Sequence, residues 1–557
     1  MKLKVKFCIF LLSVFGVFSA EAQLLSSKKS FTRIDSLRGA LTPARTCFDV
    51  TFYDLSVTFD TLHKTIVGKN DIYFNTTAPT QILQLDLDEK LTINAIRFKK
   101  KALTYSREYN TVYIDLPTKL DTGKTGKIEI EYSGMTQTAK RAPWDGGFVW
   151  SKNKDGDLWL AVACEGLGAS SWWPCKDHLS DEPDSMQISL IIPKGLMAIS
   201  NGNLRGIQKV NDKMDKFTWF VSYPINTYNV TFNISKYVHW SDTLIYADGD
   251  KLPLDYYVMP YNLERSKVHF AQVKPMLLCY EMYFGKYPFP NDGYALVETP
   301  YLGMEHQGAI AYGNKYKTGY DGKDFSGIGL DFDYIIIHET GHEWWGNSVS
   351  AKDIADMWIH ESFCTYSEAI YVECMFGKDK ALDYINSKKK SVQNLNPIQG
   401  PYHVNEEGSG DMYNKGMLML NTLRTLVNND KLWWQTIKAI SDTTFKHKTT
   451  DAASIIAFFE QRTKLKLDKF FEQYLQQSEI PKLSFVLRKK GKTSYTFEYV
   501  WQTEVKDFHM PVLYYVGDKL YRTDATTKIK KKRVIIKDIA DFKIADNLIY
   551  INSVRVL

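Results

Sequence analysis

The chain has 557 residues and a formal net charge of +6, with 44% hydrophobic and 24% charged residues. That length allows about three or four domains of roughly 150 residues and a sizeable core. The charge balance points to no particular partner: the most basic run, Lys528 to Lys537, alternates with apolar residues and reads as a solvated strand or turn rather than a nucleic-acid patch.

Taken in order, Met1 to Gln23 opens with Lys2, Lys4 and Lys6, continues as an apolar run from Phe7 to Phe18, and ends in the small-residue stretch Ala20-Glu21-Ala22. This pattern predicts a secretory signal peptide over residues 1–22 and an exported product, periplasmic or extracellular. The apolar run is shorter than the roughly 20 residues a bilayer needs, so no membrane insertion is expected once it is cleaved. Cleavage removes Lys2, Lys4, Lys6 and Glu21 and lowers the formal charge from +6 to +4.

Six cysteines follow the leader: Cys47, Cys164, Cys175, Cys279, Cys364 and Cys374. Export permits disulfides, and the pairing stays open. Cys164 with Cys175 is the one close pair worth testing, Cys364 and Cys374 share a predicted helix and cannot pair with each other, and buried free thiols are the alternative.

From Cys47 to Trp240, short runs such as FDVTFYDLSVTFD and KIEIEY alternate with period two and are punctuated by Gly, Asn, Asp and Pro. They predict an all-β sandwich or saddle over residues 23–240. One stretch inside it, VACEGLGASSWWPCKDHLSDEP, is too rich in Gly and aromatic residues for a plain strand. A second, mainly helical unit is expected over 241–480. Its helices include KDKALDYINSKKKSV, DMYNKGMLMLNTLRTLV, KLWWQTIKAIS, TTDAASIIAFFEQRT with Thr450 as cap, and LDKFFEQYLQQS. After Pro481 alternating runs return, predicting a small β-sandwich over 481–557.

The chemistry concentrates between Tyr334 and Tyr371. In a helix, His338 and His342 lie one turn apart and can converge on one cation, with Glu339 beside them free to act on water. Catalytic zinc takes three protein ligands and keeps one open position. Gly341 within this helix implies close approach by a neighbouring element, and Trp344 and Trp345 read as core or cleft wall.

Downstream, Glu361 follows His342 with residues 343 to 360 between them, the spacing of the gluzincins. HETGHEWWGNSVS with MWIHESFCTYSE resembles the zinc aminopeptidase family that includes aminopeptidase N and leukotriene hydrolase, with His360 in place of the family's Asn and Ser362 in place of its Gly. YLGMEHQGAIAYGN resembles that family's G-x-M-E-N stretch, with Leu302 at the leading Gly and His306 at the Asn. Tyr413-Asn414-Lys415-Gly416 resembles its Y-x-K-G stretch.

The resemblance implies an α+β multidomain fold: an amino-terminal β saddle, a thermolysin-like helical catalytic domain and a small carboxy-terminal β domain, here with no large helical domain after it. It implies one zinc ion on His338, His342 and Glu361, Glu339 as general base, and Tyr413 as donor to the oxyanion. Glu305 and Glu165 would bind the substrate's α-ammonium, and Gly303 and Met304 would pair with its backbone. Glu368, one helical face on from Glu361, is placed to hydrogen-bond a ligating histidine; a surface glutamate is the alternative. The expected activity is removal of amino-terminal residues from peptides with a free N-terminus, with no nucleic-acid partner. A thermolysin-type endopeptidase, an epoxide hydrolase and a non-catalytic scaffold of the same fold are the alternatives.

Overall fold

A computed structural model describes residues 30–327 and 331–556; the predicted leader, Met1–Ala22, lies outside them. Two short helices that sequence periodicity does not announce, Arg33–Gly39 and Pro43–Thr46, precede the first strand. The first is closed by a capping box in which Thr32 and Asp35 satisfy each other's backbone donors.

The amino-terminal region is all β, as the alternation implies. Its largest sheet has eight strands, at whose centre Phe48–Asp60 pairs antiparallel with Thr65–Thr76 and parallel with Ser185–Pro193. Along the first strand Tyr53, Leu55, Val57 and Phe59 alternate inward and are buried. A four-stranded sheet (Met197–Ser200, Phe232–Ser235, Leu158–Ala163, Gly147–Lys152) and a three-stranded one (Thr80–Asp86, Thr111–Leu120, Tyr105–Glu108) complete it.

The loop after Leu158–Ala163 carries Glu165 and is tied down by buried charge. Arg45 donates two 2.8 Å bonds to Asp86 from a fully buried position. The Asp86 backbone bridges Cys175, and Asp177 accepts from Ser170 N and Oγ. A further buried pair, Lys176 Nζ to Asp181 at 2.7 Å, fixes the loop's far side. Paired and hydrogen-bonded charges of this kind are costly to break singly, so they hold the loop in one arrangement.

A five-stranded sheet opens the second region, in the order Val238–Ile245, Lys251–Val258, Tyr294–Glu298, Ile310–Tyr312, Gly303–Met304. Its first strand crosses residue 240, the expected domain boundary, and pairs with Lys251–Val258 rather than with the amino-terminal sheets. Helices follow: Val273–Phe284, Tyr334–Gly341, Trp358–Phe376, Lys378–Ser387, Asn414–Val427, Asp430–Ala439 and Ala452–Thr463. The last is capped by Asp451, whose side chain accepts from Ser454 N at 2.8 Å, and not by Thr450, which ends a short strand paired with Val349–Ala351.

The cysteine pairing, left open by the sequence, resolves mostly into buried free thiols, Cys47, Cys164, Cys175 and Cys364, and not into the pair singled out for testing. Cys164 Sγ donates to Tyr228 O. Cys279 and Cys374 form a disulfide between the helices Val273–Phe284 and Trp358–Phe376, which pack side by side although 95 residues separate the two cysteines.

The closing region is a β-sandwich of a four-stranded and a three-stranded sheet. It shares one continuous core with the helical region: Tyr474 donates to Tyr550 O and Arg522 to Leu426 O. Lys530–Ile535, the basic run, is a strand as read from the sequence. No helix among the described residues is long and apolar enough to cross a membrane.

Candidate metal and peptide site

Asp333 starts the helix that matters most. Its Oδ1 accepts from Ile335 N and Ile336 N, and its Oδ2 bonds His269 and Tyr312 at 2.7 Å each, so the helix N-terminus is capped and tied to the sheet. One turn on, His338 Nε2 and His342 Nε2 face each other at 3.3 Å. Glu361, from the adjoining helix Trp358–Phe376, brings Oε2 to 3.7 Å from the first and 3.6 Å from the second.

The outer nitrogen of each ring is already bonded. His338 Nδ1 lies 2.6 Å from Glu368 Oε1 and His342 Nδ1 2.9 Å from Trp345 O, so both Nδ1 atoms donate and both Nε2 lone pairs point inward. Glu361 Oε2 is buried with no hydrogen-bond partner. Two imidazole nitrogens and one unsatisfied carboxylate oxygen converging on one point fit a single zinc ion with an open fourth position. The Cys364 thiol lies within 4.8 Å of both histidines, but it donates to His338 O at 2.8 Å and burial pushes its pKa up, which removes it as a competing ligand.

Close helix packing makes this convergence possible. A Cβ on Gly341 would stand 2.9 Å from Cys364 Sγ, the close approach its position in the helix implied. Gly416 does the same on the other side: its Cβ would fall 1.9 Å from Ser362 Oγ. Ser362 Oγ also donates to Met412 O. This contact seats Tyr413, whose ring stacks against His338 at 6.1 Å between centroids.

Glu165, Gly303, Met304, Glu305, His338, Glu339, His342, Glu361 and Tyr413 all line one cleft of about 580 Å³. Glu368 is fully buried behind it; its Oε2 accepts from Tyr384. Although burial pushes the Glu368 carboxyl up, its bond to His338 and the nearby charges of His338 and Lys388 hold it below the usual value. Gly303–Met304 runs as a short strand against Glu339, antiparallel to Ile310–Tyr312.

Carboxylates crowd this cleft. Oxygens of Glu165, Glu305 and Glu361 lie within 4.8 Å of one another, and Glu305 and Glu339 lie as close to each other and to His342. Glu165 Oε1 is buried without a partner. Burial, with Glu305 and Glu361 next to it, pushes Glu165 well above the carboxylate range, and burial takes Glu305 to about 7 and Glu339 to about 8. Acids clustered this closely favour a positive charge among them, which a metal ion or an ammonium group can supply.

Sequence reasoning did not reach the residues that hold these acids in place. Tyr228 donates to Glu305 Oε1 at 3.1 Å and lies 3.5 Å from His360 Nδ1, while His360 Nε2 accepts from Ala351 N at 2.7 Å. The substituted His360 thus has a fixed tautomer and closes a chain that ends on Glu305. Tyr228 carries no local signal. Glu343 was legible only as part of the motif; it accepts from Tyr287, Gly308 N and Asn347, fastening the metal-site helix to the segment after Gly303–Met304 that carries Glu305. His306 does not line the cleft: it is fully buried, neither ring nitrogen has a hydrogen-bond partner among the described residues, and burial lowers its pKa to about 3.

A saddle-like β region beside a helical unit with two histidines on one helix and a glutamate from the next is the architecture of a thermolysin-like zinc peptidase. Residues 268–474 match the Peptidase family M1 domain and residues 50–229 the Peptidase M1 N-terminal domain. The chain belongs to peptidase family M1.

It is 23% identical over 400 residues to probable aminopeptidase 2 of Sulfurisphaera tokodaii, covering 68% of this chain and 47% of that protein. To human endoplasmic reticulum aminopeptidase 1 it is 26% identical over 331 residues, with 56% and 34% covered. To pig glutamyl aminopeptidase it is 24% identical over 458 residues, with 78% and 48% covered. The chain therefore spans about a third to a half of the length of these curated relatives. Among solved structures, an M1 zinc metallopeptidase from Deinococcus radiodurans shares the fold with a TM-score of 0.65 at 19% identity, over 78% of this chain and 94% of that one. A mutant of a Deinococcus radiodurans M1 zinc metallopeptidase bound to a Tyr-Ser-Ala substrate gives 0.64 at 18%, over 77% and 94%.

Proposed function

We propose that the protein is a zinc-dependent aminopeptidase that hydrolyses the first peptide bond of peptides with a free N-terminus. The observation that carries this reading is the meeting of Glu165 and Glu305 beside the metal ligands, within 4.8 Å of Glu361 and with Glu165 Oε1 unpartnered. An α-ammonium bound there neutralises two buried acids, whereas a mid-chain peptide would strip their water and return nothing. An endopeptidase has no use for them.

Zinc held by His338, His342 and Glu361 would supply Lewis acidity toward the scissile carbonyl and lower the pKa of water. Glu339, beside the two histidines and lining the same cleft, takes the proton from the attacking water and passes it to the leaving amine. Tyr413 donates its hydroxyl proton in a hydrogen bond to the developing oxyanion, a contact whose loss commonly costs about 100- to 1,000-fold in rate. Gly303 and Met304 offer backbone groups to an extended substrate laid along their strand. Glu368 and Trp345 O keep the two imidazoles turned inward.

Export to the periplasm or beyond belongs to the same proposal. It is supported by the leader pattern of residues 1–22 and by the Cys279–Cys374 disulfide, a bond favoured in oxidising compartments. Mass analysis of the purified native protein checks it, the expected first residue being Gln23.

Initial rates on aminoacyl chromophore amides beside their N-acetylated forms, before and after chelation and zinc return, test the activity. Cleavage restricted to free amines, lost on chelation and restored by zinc, supports the proposal. Equal cleavage of acetylated substrates would remove the role given to Glu165 and Glu305.

A further inference from the structure

The acidic end of the cleft has a basic counterpart that the hydrolysis above does not use. Lys388 follows the helix Lys378–Ser387, lines the cleft and is only 7% exposed. Its ammonium rests 4.9 Å from the ring centroid of Tyr384 and 5.4 Å from that of Tyr334. It makes no hydrogen bond to, and has no carboxylate within 4.0 Å from, any of the described residues. A nearby charge is Glu368, whose oxygens are bonded to His338 and Tyr384, so the ammonium itself has no hydrogen-bond acceptor and is only partly compensated.

Acids on the same walls are engaged elsewhere. Asp324 Oδ1 accepts from Ser326 N and Gly327 N, and Asp411 accepts from Gln393 N and Asn394 N. Glu368 is held by His338 and Tyr384. Lys388 is thus a buried cation of this wall left to meet an anion from solution, the exposed Lys323 also lining the cleft.

Its position relative to the metal site is set by Tyr334. That ring stacks on His338 at 5.4 Å and carries Lys388 Nζ at 5.4 Å, so the ammonium lies no farther than about 11 Å from the His338 ring. This is the reach of about two or three extended residues at roughly 3.3–3.6 Å each. Glu165 and Glu305 cluster with the metal ligand Glu361, their oxygens within 4.8 Å of one another. The cleft thus holds an ammonium without an acceptor and a cluster of carboxylates at the metal ligands, within the reach of a short peptide.

The geometry points to Lys388 as a subsite for the C-terminal carboxylate of the substrate, which makes tripeptides the preferred substrate class of this cleft. The inference rests on the aminopeptidase reading for its direction: the N-terminus lies at Glu165 and Glu305, the carboxylate at Lys388. A charge-assisted hydrogen bond from Lys388 Nζ to that carboxylate supplies the missing counter-anion.

The test compares a tripeptide acid, its C-terminal amide and an aminoacyl chromophore amide on the zinc-loaded protein, with the variants Lys388→Met and Lys388→Arg. For the native protein the acid should exceed the amide in kcat/KM by about 10- to 100-fold, mainly through KM. Lys388→Met should erase that ratio while leaving the chromophore amide within about twofold, and Lys388→Arg should restore part of it. Calorimetric binding of the acid and amide to the inactive Glu339→Gln variant gives a second readout that needs no turnover. Equal rates and equal affinities for acid and amide on the native protein would overturn the inference while leaving the aminopeptidase reading intact. So would a Lys388→Met variant that loses all three substrates alike, because that is the behaviour of a lysine that only balances Glu368. Failure of the native protein to cleave the chromophore amide while still binding acid over amide would overturn the hydrolytic reading and keep the subsite.

Discussion

Gly303 and Glu339 touch across the floor of the cleft: a Cβ built on Gly303 would stand 2.7 Å from Glu339 Oε1 and 2.8 Å from Ile335 Cγ2. The strand Gly303–Met304 and the proposed general base are therefore set by each other, and only a residue without a side chain fits between them. In Gly303→Ala either the strand lifts or Glu339 turns away. A displacement near 1 Å is enough to lower kcat about 100-fold, with overpacking costing about 1–3 kcal/mol of stability. Zinc content should be unchanged, since none of the ligands is touched. Kinetics, metal analysis and thermal unfolding on the same preparation check this; a kcat within threefold of native would show that the contact is not restrictive.

Tyr228 gives a subtler result. Its hydroxyl donates to Glu305 and links that acid to His360. Tyr228→Phe keeps the ring and removes the donor, so Glu305 loses orientation while the metal ligands are untouched. KM for free-amine substrates should rise about three- to tenfold with little change in kcat. A fall in kcat alone, at constant KM, would contradict a role at the ammonium.

Much of this site was legible because its chemistry is local. His338, Glu339 and His342 fall on one helical turn, and Glu361 and Glu368 on two turns of the next helix, so spacing alone places them together once the helices pack. Gly341 announced that packing. Tyr228 and Lys388 could not be found this way: one sits in a short irregular stretch between strands and the other after a helix end, and each meets the site only through tertiary contacts. The same distinction explains the cysteines. Proximity in sequence suggested Cys164 and Cys175, while the bond forms between helices whose adjacency no local pattern encodes. The β regions were legible as alternation, but their division into sheets and the crossing of residue 240 by Val238–Ile245 depend on long-range pairing.

Glu368 tests the outer support of the metal site. With Oε1 bonded to His338 Nδ1 and Oε2 to Tyr384, it holds one imidazole in the tautomer that faces inward. Glu368→Gln removes the charge and keeps the shape. Zinc affinity should fall about 10- to 100-fold, measured by competition with a chromophoric chelator. Activity at saturating zinc should recover substantially, separating a positioning role from a catalytic one. Native affinity in the variant would assign Glu368 to packing alone.

The loop that carries Glu165 has a built-in sensitivity to acid through His178. His178 Nε2 lies 3.2 Å from Gly39 O, and its Nδ1 accepts from Ser180 N at 3.1 Å, so the folded ring is neutral and has no place for a second proton. Burial, with Arg45 and Lys176 near, lowers its pKa to about 3, although Asp177 acts the other way. The unfolded chain takes up that proton below about 6.5, so it binds more protons than the folded chain between about 6.5 and 3. Stability from this group is therefore complete above pH 6.5 and declines as pH falls through that window. Against His178→Gln, which keeps an amide donor for Gly39 O but does not titrate, the native protein should lose about 2–3 kcal/mol between pH 7 and pH 4.5. Urea unfolding of both chains at the two pH values, in chelator so that zinc loss does not contribute, measures the difference. A native-minus-variant gap that stays constant across that range would mean that His178 accepts a proton in the folded loop and that its bond from Ser180 N is not retained.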